Sequence, residues 1–169
     1  MRKSGMSSLL AMLVFGLGNA VHAETMLFHV KTALDKDDAQ ICVAPNVALA
    51  ALESGDKVVM LIDASAVTSL NKGWGKMNFG DKTPLDKAAL PERERQSLAN
   101  QLKIPINEIP KNYGDYFDFL KKRGSKGYVN RTMLTLYKID SSQVDSVAEV
   151  IDLRSMLKPF KEADKILVY

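Results

Sequence analysis

The chain has 169 residues, of which 46% are hydrophobic and 25% are charged, a composition typical of a globular protein with one sizeable core. Its 23 basic and 20 acidic side chains leave a net charge of +3, which is too small to indicate a surface for nucleic acid or anionic membranes. The single cysteine, Cys42, excludes an internal disulfide.

The first segment of the chain has the pattern of an export signal. Arg2 and Lys3 precede an apolar run, Leu9–Leu17, and Val21-His22-Ala23 follows as a cleavage motif. We therefore expect residues 1–23 to be a signal peptide that directs the protein out of the cytoplasm into an oxidising compartment, which, given the family resemblance described below, is the periplasm. No later apolar run reaches the roughly 18 residues of a membrane-spanning helix, so we expect no membrane insertion after cleavage.

The remainder, residues 24–169, has the length of a single domain. Its net charge is +1, because Arg2 and Lys3 are the only charged side chains lost with the signal. The basic excess of the full chain therefore owes much to the signal, and we expect no nucleic-acid partner.

The start of the mature chain predicts a strand, a helix and a second strand. Thr25–Val30 is a short apolar run, and Asp37 or Asp38 then supplies an N-cap. Gly55 ends the helix, and Lys57–Asp63 is typical of a strand buried on both faces. The apolar face of the helix has a period of 3.6 residues and comprises Ile41, Ala44, Val47, Ala48, Ala51 and Leu52. A unit of this kind implies a parallel sheet.

The rest of the chain continues this alternation. Helices are predicted over 91–103 and from Tyr113 to a stop at Gly124, and strands at 127–129, 150–152 and 165–169. Between the last two strands lies one more amphipathic helical face, made of Leu153, Met156, Leu157 and Phe160. We therefore predict an α/β fold, a three-layer sandwich around a mostly parallel five-stranded sheet.

Several local phrases resemble the DsrE family, the small sulfur-relay proteins of bacteria. Ala48–Val59 is similar to the family's first helix, its glycine stop and its second strand. Leu120–Asn130 is similar to the segment that leads into the family's functional loop, and Val150–Leu153 and Ala163–Tyr169 to its closing elements. The resemblance implies a flavodoxin-like topology, a homo-oligomer, and a periplasmic redox or sulfur-carrier protein as a partner.

The chain departs from the family at one decisive position. In sulfur-carrying members the third strand ends in a cysteine that holds a persulfide, whereas the comparable residue here is Asn130. A carboxamide cannot become a persulfide, so the resemblance implies a secreted branch without the usual chemistry.

Polar residues follow the predicted strands where a ligand site is expected. Asp63, Asn130, Arg131 and Thr132 lie at carboxyl ends of strands, outside which ligands bind in open α/β sheets. Arg131 could bind an anion such as carboxylate, sulfate or phosphate through its planar fork. The alternative is that these side chains merely solvate loops.

Cys42 is the candidate nucleophile. In the first turn of a helix the exposed amides and the helix dipole would lower its pKa and favour the thiolate. The alternative is a small hydrophobic residue that fills the flank of a packed helix.

Two other single residues carry weaker signals. His29, the one histidine of the mature chain, is expected in the core or at a sheet edge, and a metal site is not expected because such sites need several ligands. Trp74, between two glycines, is a lid, a partner contact or an anchor for its loop.

These features favour a non-enzymatic accessory or binding protein, linked to sulfur or redox metabolism and without a cofactor. The alternative is a thiol-dependent sulfurtransferase or redox protein that uses Cys42.

Overall fold

The computed structural model describes residues 23–73 and 80–169. The predicted signal peptide, apart from Ala23, and Trp74 lie outside the described residues, as do the interpretations that depend on them.

A five-stranded sheet forms the middle layer of the described chain. Its strands in spatial order are β4, β3, β2, β1 and β5, and every pairing is parallel. The bounds are β1 (Thr25–Val30), β2 (Lys57–Ile62), β3 (Lys126–Asn130), β4 (Glu149–Ile151) and β5 (Lys165–Val168). The predicted α/β sandwich is confirmed, and the sheet is wholly rather than mostly parallel.

Six α-helices accompany these strands in the described residues. They are α1 (Asp38–Glu53), α2 (Pro84–Lys87), α3 (Glu92–Leu102), α4 (Tyr113–Lys122), α5 (Arg131–Leu136) and α6 (Leu153–Glu162). Short 3-10 helices cover Ala64–Leu70, Ile106–Glu108 and Ser141–Gln143. Sequence periodicity predicted α1, α3, α4 and α6, but not α2, α5 or the 3-10 helices.

Local side-chain chemistry explains the bounds of α1. The carboxylate of Asp37, rather than that of Asp38, caps the helix by accepting hydrogen bonds from the Ala39 and Gln40 amides. Gly55 follows the last turn with φ of 91°, a left-handed conformation that side chains with a Cβ rarely adopt.

The two faces of the sheet are covered unequally. Alternate residues such as Phe28, Met60 and Val129 face a large core under α1, α3 and α4. The intervening residues, including Leu27 and Leu61, face a smaller core. Met156 and Phe160 of α6, and Ala163 directly after this helix, complete that core. The chain moves along the sheet in one direction from β1 through α1 to β2, and in the opposite direction from β4 through α6 to β5. Because crossovers between parallel strands are right-handed, α1 and α6 lie on opposite faces of the sheet.

Candidate functional site

The carboxyl ends of β1, β2 and β3 bring three polar side chains together. His29 is next to last in β1, Asp63 directly follows β2, and Asn130 ends β3. Since side chains alternate along a strand, all three lie on the α6 face, like Leu27, Leu61 and Tyr128 two residues before each of them. The ring of His29 meets the ring of Phe160 from α6 edge-on, with centroids 5.2 Å apart.

Asp63 is the centre of this cluster. Its Oδ2 lies 2.8 Å from Nε2 of His29, and its Oδ1 accepts a 2.8 Å hydrogen bond from Nδ2 of Asn130. The Ala64 amide also donates to Oδ1, at 2.7 Å. The side chains of His29 and Asp63 are 14% and 13% exposed, so the pair is largely shielded but reaches solvent.

These hydrogen bonds determine which groups are left for chemistry. The hydrogen bond from His29, together with those from Ala64 and Asn130, outweighs burial and lowers the pKa of Asp63 to about 2. An ionised carboxylate only accepts hydrogen bonds, so Nε2 of His29 carries a proton. Among the described residues, no group is hydrogen-bonded to Nδ1 of His29.

The backbone beside Asp63 is strained. Ala64 has φ of 44°, in the left-handed region that residues other than glycine rarely occupy. Such strain is often found at functional sites, where surrounding contacts enforce it. Here the hydrogen bond between the Ala64 amide and the Asp63 carboxylate contributes to holding that geometry.

The predicted site residues fall into two groups. Asp63 and Asn130 are in contact, as their positions at the same edge of the sheet implied. Arg131 and Thr132 are exposed at the start of α5, where the Thr132 amide donates to Oδ1 of Asn130. Hydrogen bonds from Ser155 lower the pKa of the Asp152 carboxyl, and the nearby positive charge of Arg131 adds to this lowering.

His29 was not predicted as a site residue, and the structure places it in the cluster, bonded to Asp63. One signal in the sequence could have found it: a polar residue near the end of an otherwise apolar strand. Parallel pairing brings that strand end beside Asp63, because β1 and β2 are neighbours in register.

Cys42 lies elsewhere, between α1, α3 and α4. It is the fifth residue of α1, beyond the first turn, and is half-buried. Burial raises the pKa of its thiol, the carboxylates of Glu94 and Asp38 add to the rise, and a hydrogen bond with Tyr113 opposes it. The condition for a lowered pKa, a position in the first turn where the helix dipole has most of its effect, is therefore not met, and burial raises the pKa instead.

A groove of about 680 Å³ lies on the α6 face, between the helix and β2, β3 and β4. Its charged lining residues are three lysines and two glutamates: Lys57, Lys126, Lys158, Glu149 and Glu162. Apolar side chains such as Val59 also line it. None of the predicted site residues lines this groove.

Among the described residues, no three His, Cys, Asp or Glu side chains are grouped so that they could hold a metal ion. None of the helices within 23–73 and 80–169 has the length and hydropathy to cross a membrane.

Comparison with known proteins adds information about the fold. No protein-family model matches the chain, and no curated protein matches its sequence. Among solved structures, the YchN protein of E. coli is similar, with a TM-score of 0.56 over 86% of this chain and 99% of YchN. The sequences are 13% identical, so this similarity concerns the fold.

Proposed function

We propose that this chain is a periplasmic, DsrE-like accessory protein that binds a small oxyanion beside His29, in sulfur or redox metabolism. The proposal includes export by residues 1–23, assembly as a homo-oligomer and a redox or sulfur-carrier protein as partner. The observation that carries it is the hydrogen-bonded chain of His29, Asp63 and Asn130 at the carboxyl edge of the sheet. The fold shared with YchN is compatible with the family resemblance.

The cluster favours binding because its groups are already arranged. Both oxygens of Asp63 accept hydrogen bonds from the protein, and this carboxylate orients the ring of His29. Asn130, at the position of the family's persulfide cysteine, donates to Asp63 and caps α5. Its amide therefore has a positioning role, which supports a function without a persulfide.

The expected ligand is anionic because two cations are exposed at this edge of the sheet. Arg131 is exposed at the adjoining start of α5, and an imidazolium at His29 would add a charge-assisted hydrogen bond from Nδ1. Lys31, one residue beyond β1, adds a second exposed cation at the same edge.

The alternative, thiol chemistry at Cys42, has less support. A thiol whose pKa is raised by burial and by nearby carboxylates holds little thiolate at neutral pH. Its hydrogen-bond partner Tyr113 donates to the carboxylate of Glu94 at 3.0 Å, which supports a packing role for this cluster.

Calorimetric titration of the isolated protein with thiosulfate, sulfite and sulfate tests the binding proposal. We expect at least one of these probes to bind, and His29→Gln and Arg131→Gln each to weaken that binding at least tenfold. Glutamine can still donate to Asp63 but has no counterpart of Nδ1, so His29→Gln tests the free nitrogen.

Lys126→Gln in the groove is the matched control, since it removes one cation from a different part of the α6 face. It should leave the affinity unchanged. Failure of all three probes to bind would contradict the proposal. So would a loss of affinity in Lys126→Gln that His29→Gln does not share, which would place the anion in the groove.

A further inference from the structure

Exposed apolar side chains are concentrated at one edge of the molecule. In the described chain six large hydrophobic side chains are exposed, and four belong to β5 and α6: Leu153, Leu157, Ile166 and Val168, here called the β5 patch. Their exposed fractions lie between 49% and 61%. A contiguous apolar surface of this kind marks an interaction site more often than a free surface.

The four residues of the β5 patch share one face. Ile166 and Val168 pair in register with Leu27 and His29, which both face α6. Leu157 lies one turn before Phe160, whose ring contacts His29, and Leu153 lies one turn earlier on the same side of the helix. The patch therefore continues from the helix onto the strand.

Within the part of the chain that the structure describes, β5 also has an open backbone edge, because β1 is its one neighbour in the sheet. The Tyr169 amide donates to the His29 carbonyl, and the Tyr169 carbonyl accepts from the Lys31 amide, so this residue directs its backbone groups to β1. Backbone direction alternates along a parallel strand. Ile166 and Val168 therefore point their N–H and C=O groups outward, where another strand can pair with them.

We propose that a second copy of this chain covers the β5 patch, with the two β5 strands paired antiparallel across a two-fold axis. The inference rests on the proposed homo-oligomeric assembly and adds its surface and register. Ile166 lies opposite the partner's Val168, and Leu167 lies opposite the partner's Leu167. Several registers keep the side chains of the two strands on matching faces. In this one, the residues whose backbone groups point outward pair with each other: Ile166 with the partner's Val168, and Val168 with the partner's Ile166.

Apolar contacts and backbone pairing both favour a second copy as the occupant. The register places β-branched Ile166 and Val168 in direct cross-strand contact, twice by symmetry. It also pairs the outward N–H and C=O groups of Ile166 with those of the partner's Val168, so the open edge of each copy satisfies the open edge of the other.

Disulfide trapping in a Cys42→Ser background tests the register. Directly opposed residues of an antiparallel non-hydrogen-bonded pair have Cα atoms about 4.5 Å apart, within the range a disulfide spans. Under mild oxidation with oxidised glutathione, Leu167→Cys should therefore form a disulfide-linked dimer. The matched control, Lys165→Cys, should remain monomeric on a non-reducing gel, because the same position in the partner lies several residues away along the paired strand.

A second measurement does not depend on oxidation. Light scattering should give an oligomer for the wild-type protein and the mass of one chain for the Ile166→Lys, Val168→Lys double variant. Leu136→Lys replaces a hydrophobic side chain on α5 that is 69% exposed, more than Ile166 or Val168, and should leave the oligomer intact.

The negative outcomes separate the two levels of the proposal. If the double lysine variant still forms the oligomer, this surface is wrong. If Ile166→Cys or Val168→Cys alone traps a dimer while Leu167→Cys does not, the register is wrong. In both cases the oligomeric assembly itself would stand. A wild-type monomer would overturn both. Anion binding at His29 is measured independently and is contradicted by neither result.

Discussion

Replacing Asp63 with asparagine keeps the shape of the side chain but removes the charge on which the cluster is built. The amide oxygen of asparagine can still accept hydrogen bonds from Ala64 and Asn130, while its NH2 group is a donor that faces Nε2 of His29. The variant therefore loses the charge-assisted hydrogen bond from His29, or forces the imidazole to move its proton to Nδ1.

The magnitude follows from the pKa of Asp63. That pKa falls from its ordinary 3.8 to about 2 in the folded protein. Each pKa unit corresponds to about 1.4 kcal/mol, so ionised Asp63 stabilises the fold by about 2 kcal/mol. Because the folded pKa is the lower one, this stabilisation is present above about pH 4 and is lost as the pH falls toward 2.

Urea unfolding of the wild-type protein and Asp63→Asn at several pH values measures this effect. We expect the difference in unfolding free energy between them to shrink by about 2 kcal/mol from pH 6 to pH 2. Asp35→Asn, at an exposed aspartate whose one ion pair is 3.9 Å long, should show no such change. A cost of Asp63→Asn that stays constant with pH would refute the account of the cluster.

Three further predictions concern packing and reactivity. Cys42 should react more slowly with a thiol reagent at pH 7 in the folded protein than in urea, because burial raises its pKa; equal rates would contradict this. Gly127→Ala should lower the unfolding free energy by about 2 kcal/mol, since a Cβ there would lie 2.6 Å from a backbone carbonyl oxygen. Arg95→Leu should cost about 3 kcal/mol in urea unfolding, because buried Arg95 donates to the carbonyls of Ile106 and Ile109; a cost below 1 kcal/mol would show that water replaces these bonds.

The sheet was predictable because its signal is local. Lys57–Ile62 is apolar at nearly every position since both of its faces are buried, and this pattern requires no knowledge of the neighbouring strands. The short helices were not predictable in the same way. α5 has six residues and depends on Asn130 as its cap, too short a segment to show helical periodicity.

The site was predictable in part for the same reason. Asp63 and Asn130 could be placed at one edge because parallel strands end there together. The role of His29 depends on its contact with Asp63, 34 residues away, and the pKa of Cys42 depends first on its burial and also on Glu94 from another helix. Such long-range contacts leave no local pattern in the sequence.

The unequal cover on the two faces of the sheet has a consequence for motion. In the described chain the ten residues of α6 shield the imidazole of His29, whereas several helices bury the opposite face of the sheet. Undocking this helix breaks far fewer contacts than global unfolding. In hydrogen–deuterium exchange, amides of α6 should therefore exchange well before those of β2, and water should reach the imidazole while the rest of the molecule stays native.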